Sequence, residues 1–440
     1  MQASQDRYTS QKSKADAPLR VVVVGAGSRS RTYASYGLTH PEELQIVAVV
    51  DPDEGRCNRL ADLHRLPADR RFGNLSELFA AGKIADAAIN GTMDELHVST
   101  SLSLMEAGYD ILLEKPIGIS KEEVLALLAA TRSYNRKVMI CHVLRYAPFY
   151  LEIRKRIAAG EIGDVLNIQT AEHVSYHHMS AAFVRGKWSS KAHCGSSMLM
   201  AKCCHDMDLI TWLKSGIPPI RVASSGGLSF FRRERAPVGS GKRCLADCTI
   251  EADCSYSARK HYVDKGLWGV YVWRSLEHLG PSPTVEQKLE SLRTDNPYGR
   301  CVWQCDNDAV DHQSVLMEFA DGSTATHNLV GNTARPCRTI HIIGTKGEIS
   351  GVMEDGYFNI RHEDERVGHE YTEERIHLNV SMDMHGGGDL RLMEDFIRYC
   401  KGQEASLSTT SLADSIYGHM LGFGADQAMQ EAVWVPLETV

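Results

Sequence analysis

The stretch Leu19-Arg20-Val21-Val22-Val23-Val24-Gly25-Ala26-Gly27-Ser28-Arg29-Ser30 decides how the first part of the chain folds. Four consecutive valines make a short apolar run, the composition of a strand buried on both faces of a parallel sheet. The run ends on Gly25, where a tight turn favours a residue without a Cβ. Gly27 follows, where a ligand can approach bare backbone. A helical stretch through Tyr36 comes next, so its first amides point back at whatever the turn holds. Strand, glycine turn and helix in that order form a pyrophosphate-binding fingerprint, with Ser30 where a third glycine is usual. Serine there is expected to loosen the approach of helix to strand without abolishing it.

Working outward, a second apolar strand, Leu44–Val50, ends in Asp51, 24 residues past Gly27. A carboxylate at that place accepts a hydrogen bond from a ribose 2′-hydroxyl and repels a 2′-phosphate, which favours NAD over NADP. Arg56, close by, pulls the other way. The competing reading of Asp51 is a cap at the strand–helix turn. The alternation continues with a helix at 75–81, a strand at 84–89 and a loop, Asn90-Gly91-Thr92, at the carboxyl edge. A helix at 95–107, a strand at 110–113, a helix capped by Ser120 and a strand at 137–141 follow. Ser28, Arg29, Asn90, Thr92 and His97 are thereby candidates for the cofactor, although His97, at a helix start, reads equally as structural. The pattern predicts an α/β fold whose N-terminal part, residues 18–146, is a doubly wound parallel sheet of Rossmann type.

Within it, Ile111-Leu112-Leu113-Glu114-Lys115-Pro116 delivers one cation to the carboxyl edge of the sheet, where ligands sit in open α/β folds. Taken alone, Lys115 reads more readily as a surface lysine.

A chain of 440 residues exceeds one ordinary core. A second domain, α+β in character, is expected over 147–440, with an insertion-like, charge-rich segment at 232–300. A net charge of −8 gives no sign of a nucleic-acid partner. No apolar run reaches the roughly 20 residues of a membrane helix. Residues 1–17 are polar and lack a signal-peptide core, so they read as a disordered leader of a cytoplasmic protein. The twelve cysteines would then stay reduced. Cys244, Cys248 and Cys254, with His261 nearby, offer a structural zinc site; no catalytic metal is expected.

In the second half, strands are expected at 163–174, in a hairpin over 312–330 and in another over 339–352, with two closing helices. A helix at 197–213 carries Lys202, His205 and Asp208 three residues apart, so they share a broad face. Cation, imidazole and carboxylate together suit acid–base chemistry, because imidazole titrates near neutrality. The competing reading is a surface ion pair of Lys202 with Asp206 and a merely packed His205. Arg145, Tyr146, His178, His312 and His385 are further candidates for substrate contact. The run His385-Gly386-Gly387-Gly388-Asp389 suits a close approach to a ligand or another backbone.

Gly25-Ala26-Gly27, Asp51, Glu114-Lys115-Pro116, His142-Val143-Leu144-Arg145-Tyr146, His205 and Asp208 together resemble the Gfo/Idh/MocA family. These are NAD(P)-dependent oxidoreductases of the glucose–fructose oxidoreductase and inositol dehydrogenase type. The resemblance covers most of residues 18–430 and implies a large open mixed sheet in the second domain. It implies that Glu114 and Lys115 lie at the cofactor, with Lys115 touching nicotinamide and substrate. His205 matches the catalytic histidine and Asp208 a substrate-contacting acid. It also implies a small carbohydrate substrate and a homo-oligomer, dimeric or tetrameric. One position departs: the family's usual Asp four residues before the histidine is Ala201, with Lys202 beside it as a replacement. The implied activity is NAD-dependent oxidation of a secondary hydroxyl of a sugar, glycoside or cyclitol. The alternatives are a redox-neutral NAD-dependent glycosidase, needing a second base such as Lys202, and a non-enzymatic NAD-sensing protein.

Overall fold

A computed structural model describes residues 17–280, 282–378 and 385–438, so residues 1–16 of the expected leader lie outside the described residues. The chain divides into two compact units. One holds the chain up to Glu114 with Leu127–Cys141 and Asp389–Ser411; the other holds Lys115–Ala126, His142–Gly388 and Leu412–Val440.

In the first unit, six strands are all parallel: β1 (Leu19–Val24), β2 (Leu44–Val50), β3 (Arg71–Phe72), β4 (Ala87–Asn90), β5 (Asp110–Leu113) and β6 (Val138–Ile140). Their order is β3-β2-β1-β4-β5-β6, so the winding reverses between β1 and β4. Val21, Val22 and Val23 are wholly buried, which is why β1 shows no alternation. At the reversal the backbones after β1 and β4 nearly touch. Gly25 has φ +84°, and a Cβ there would stand 2.6 Å from the Gly91 carbonyl oxygen. Ser30 is fully buried, and a Cβ on Gly91 would lie 2.1 Å from its Oγ. The serine at the third fingerprint position is thus accommodated by a glycine on the neighbouring loop. β3 is only two residues long and has no apolar run to mark it.

The second unit is built on nine strands: β7 (Val165–Ser175), β8 (Pro219–Gly227), β9 (His312–Phe319), β10 (Thr324–Thr333), β11 (Cys337–Gly344), β12 (Glu348–Val352), β13 (Tyr357–Glu363), β14 (Tyr371–His377) and β15 (Val435–Pro436). The order is β14-β13-β12-β11-β7-β10-β9-β8-β15; β7 and β10 run parallel and the other neighbours antiparallel. The expected large mixed sheet is present. Along β9 exposed residues alternate with more buried ones, as a sheet with one covered face requires. The Met198–Leu213 helix, capped by Ser197, is buried at every residue but Lys202. It packs on the Leu412–Glu431 helix, where a Cβ on Gly418 would come 2.8 Å from the Asp208 amide.

Among its described residues the 232–300 segment holds short helical turns and one longer helix, Val285–Arg293, but no strand of the sheet. Ala181, Cys244, Ala258, Tyr262, Val272 and Leu292 form a small apolar core for it. Among the described residues no helix is long and apolar enough to cross a membrane.

Candidate active site

The first unit fits a dinucleotide at its glycine turn. Gly27 caps the Ser28–Ala34 helix without a side chain, and a Cβ built on it meets nothing within 4 Å. The first-turn amides therefore face open space suited to a phosphate. Asp51, 7% exposed, accepts the Ala26 amide at 2.7 Å and the Asp53 amide at 2.8 Å. These bonds fix the carboxylate at the end of β2 and leave lone pairs for a ribose diol. The helix cap is Asp53, which accepts the Arg56 amide at 2.9 Å, so the reading of Asp51 as the cap is overturned. Arg56 also turns its guanidinium to Asp53, at 3.6 Å.

Other residues expected at the cofactor have partners within the protein. Arg29 donates to Glu114 at 3.0 Å, to Asp389 at 2.5 Å and to the Tyr33 hydroxyl at 2.6 Å. Glu114 accepts the Tyr33 hydroxyl as well, at 2.7 Å. Arg29 and Glu114 thus tie the first helix to the end of β5, and Asp389 is a partner that a separation of 360 positions hid from the sequence reading. Asn90 is buried. It donates to Thr100 Oγ1 at 2.7 Å and Ser101 Oγ at 2.9 Å, and accepts the Thr92 hydroxyl at 2.9 Å, which shapes the loop from beneath. His97 is buried at the head of the His97–Glu106 helix.

In the second unit, the Lys115 ammonium donates to the Ala201 carbonyl at 2.8 Å, one helical turn before His205. The side chain at that position is a methyl group, so it is the backbone oxygen that holds the lysine. His205 is 4% exposed and its Nδ1 has no hydrogen-bond partner among the described residues. Its ring lies 5.6 Å from that of His142 and 5.8 Å from that of His385. Burial, then the Lys115 charge, then His142 and His385 push the imidazole well below its usual 6.5. A neutral imidazole with an open ring nitrogen is a proton acceptor.

Asp208 is closed off. Arg145 binds it through two bonds of 2.7 and 2.6 Å, with the two side chains 1% and 2% exposed. His142 Nε2 stands 3.8 Å from the same carboxylate. Asp208 and Arg145 therefore anchor the helix instead of presenting a free acid and base to a substrate. His419, which the sequence reading passed over, accepts the Ile117 amide at 2.8 Å and so pins the segment just after Lys115. Its only sequence mark was a polar residue inside an apolar helix pattern.

Lys202 is held too. Its ammonium meets Glu172 at 2.7 Å, Arg338 meets the same carboxyl at 2.8 Å, and Asp206 meets Arg338 at 3.1 Å. Burial pushes the Glu172 carboxyl up, but Arg338 and then Lys202 outweigh it and hold the group down to about 2. The expected surface pair of Lys202 with Asp206 is overturned: Asp206 is buried, on Arg338. Two cations and two carboxylates balance, so the replacement of an Asp by Ala201 beside Lys202 leaves no excess charge in this network. Glu172 and Arg338 face each other across β7 and β11, a pairing visible only once the sheet forms.

His178 stacks on Trp268 with ring centres 4.2 Å apart and planes 20° from parallel. Burial, then Lys202, keep it neutral, well below 6.5. Trp268 comes from the 232–300 segment and had no local motif to reveal it. Tyr146 is buried at the end of the Val143–Tyr146 turn. His385 sits beside His205, and a Cβ on Gly388 would lie 2.3 Å from the Val143 carbonyl oxygen, the close backbone approach expected of the three glycines. His312 is turned elsewhere: half exposed at the start of β9, it binds Asp311 at 2.8 Å.

The pattern of the Gfo/Idh/MocA oxidoreductase family, NAD-binding Rossmann fold, matches residues 19–142, and that of the family's C-terminal alpha/beta domain matches residues 154–437. The Bacillus subtilis protein YteT, described only as an oxidoreductase, is 22% identical over 70% of this chain and 71% of its own. The inositol 2-dehydrogenase of Corynebacterium glutamicum is 24% identical over 44% of this chain, a match spanning 54% of that enzyme. A levoglucosan dehydrogenase, solved with NADH and levoglucosan, has the same fold, with a TM-score of 0.67 at 15% identity over 96% of this chain and all of its own. Turn, lysine and histidine helix thus stand in a chain whose two halves both match one family, and the chain belongs to the Gfo/Idh/MocA family of NAD-binding oxidoreductases.

Proposed function

We propose that this enzyme oxidises a secondary hydroxyl of a sugar, glycoside or cyclitol, with NAD as the acceptor. The observation that carries the reading is the buried, neutral His205, its Nδ1 open, beside the anchored Lys115 ammonium. Bound NAD supplies the hydride acceptor, and the protein supplies orientation and charge. His205 takes the hydroxyl proton as the C–H bond breaks. Lys115 donates to the same oxygen and stabilises the negative charge that grows on it. Burial, and after it the Lys115 charge, keeps His205 unprotonated, so the same cation acts on both ends of the proton transfer. The fixed Asp51 carboxylate supports NAD over NADP. The stacked His178 and Trp268 rings offer an apolar face to the C–H side of a sugar ring. Relatives acting on inositol and bound to levoglucosan support a polyhydroxylated ring as substrate.

Direct dehydrogenation is favoured over the oxidation–elimination route of NAD-dependent glycosidases. That route needs a second base, and the candidate, Lys202, is ion-paired with Glu172. A panel of cyclitols, aldoses and glycosides with NAD tests the reading. NADH should accumulate one-for-one with oxidised product, and Lys115→Ala and His205→Ala should each lower kcat/KM by roughly 10²–10⁴-fold. Wild-type turnover in both variants would refute the assignment. Cleavage of a glycoside with no net NADH would replace it with the redox-neutral route.

A further inference from the structure

Four cysteines far apart in sequence line one small cavity at the base of the 232–300 segment. Cys244, Cys248 and Cys254 are separated by three and five residues, a spacing too loose to name a metal site alone. The structure adds Cys301 to the same cavity, together with Arg185 and Tyr256. His261, the expected companion, is not on it; that ring is buried against Tyr176 and Tyr262. Backbone pairing accounts for the convergence: the Cys244 amide donates to the Gly299 carbonyl at 2.9 Å and the Cys301 amide to the Lys242 carbonyl at 2.8 Å, around a bridge between Arg243 and Arg300. All four are free thiols.

We propose that Cys244, Cys248, Cys254 and Cys301 bind one structural zinc ion. Four sulfur ligands are the donor set of closed structural zinc sites. Binding converts four thiols and a Zn²⁺ ion into a tetrathiolate of net charge −2, with four protons released to solvent and no oxidation. One cation, Arg185, lines the cavity and offsets part of that charge, while the Glu251 carboxylate on the same lining adds to it. Arg185 is 1% exposed, and no carboxylate is among the hydrogen-bond partners of its guanidinium. Its guanidinium instead reaches the Cys244 sulfur at 3.4 Å, the Tyr262 hydroxyl at 3.1 Å and the carbonyls of Tyr256 and Arg300 at 2.8 and 2.6 Å. A buried cation needs an anion, and metal-bound thiolate provides one where a neutral thiol does not. The Tyr256 amide donates to the Cys254 sulfur at 3.3 Å, a bond that favours thiolate over thiol. No three of the four sulfurs lie within 4.8 Å of one another, so the ion would draw them inward. The cluster that does meet that limit, Cys203, Asp206 and His327, has its carboxylate on Arg338, whose charge repels a cation. The zinc would join residues 244–254 to Cys301, which brackets the part of the chain that carries Trp268.

The test is the metal content of the full chain, purified without a metal-affinity step from zinc-supplemented medium. About one zinc per chain is expected, with release on titrating four thiols by a mercurial. Cys254→Ser and Cys301→Ser should each lower zinc at least tenfold, while Cys337→Ser, outside the cavity, keeps it. If those variants fail to fold, cobalt-loaded wild type supplies the second measurement: intense visible bands and thiolate-to-cobalt charge transfer mark four sulfur ligands. Metal-free wild type with all thiols reactive overturns the proposal. So do disulfides among these cysteines in the intact mass, or iron with sulfide in place of zinc.

Discussion

The turn after β1 and the Met198–Leu213 helix differ in what holds their functional groups in place. At the turn, backbone shape is decisive. Gly25 adopts a left-handed conformation, Gly91 leaves room for Ser30, and Asp51 is fixed by two amides within two residues of itself or of the turn. In the helix, paired charges are decisive. Arg145 reaches Asp208 across 63 positions, Arg338 reaches Asp206 across 132, and Lys115 reaches Ala201 across 86. A turn made of backbone is specified by its own few residues. A buried polar helix is specified by partners that arrive only with the fold, and each partner is costly to lose.

The largest expected effect follows from that contrast. Asp208→Ala deprives the buried Arg145 of its bidentate carboxylate and should cost about 3–5 kcal/mol in denaturant unfolding. Replacing both residues with apolar ones of similar size, as Asp208→Leu with Arg145→Met, should recover much of that loss. A cost under about 1 kcal/mol for the single variant would mean that the pair does not anchor the helix, and the contrast with the turn would collapse.

A smaller effect belongs to the turn itself, and two neighbouring glycines separate its two roles. Gly25→Ala forces an L side chain into the left-handed region and drives a Cβ onto the Gly91 carbonyl, for roughly 2–3 kcal/mol. Gly27→Ala meets nothing in the protein, so unfolding should stay within about 0.5 kcal/mol of wild type while NAD affinity falls. Calorimetry with and without NAD distinguishes them. Unchanged NAD affinity in Gly27→Ala would show that the cofactor does not use this turn.

The same contrast explains what could be read from the sequence. The valines of β1, Asp51 at the end of β2, Lys115 after β5 and the helix bearing His205 were all legible, because each is marked by a local run or spacing. Ser120 was legible as a cap for the same reason. The partners of Arg29 and Asp208 were hidden, since Asp389 and Arg145 meet them only in three dimensions. Glu172, Arg338 and Trp268 carried no local pattern at all, and His419 only a polar place inside an apolar helix. β8, β13 and β14 were missed because their polar, half-exposed sequences lack an apolar run.

The smallest effect is a proton balance, and its sign sharpens the account of the helix side. His419 is fully buried and accepts the Ile117 amide; burial, then the neighbouring His142, push it down to about 3. In the unfolded chain it titrates near 6.5. Between those values the unfolded state binds a proton that the fold refuses, so stability is complete above about 6.5 and is lost as pH falls toward 3. From about pH 7.5 to about pH 5.5 this single group should remove about 1.4 kcal/mol, an average uptake of about half a proton across that interval. His178 and His205, also held neutral, add to the slope in the same direction. His419→Gln keeps an acceptor for Ile117 but cannot titrate, so its unfolding free energy should depend on pH more weakly than wild type, by about 1.4 kcal/mol over that interval. An unchanged slope would show that His419 is protonated in the fold, which would put a cation between Ile117 and His142 and undo the neutral environment argued for His205.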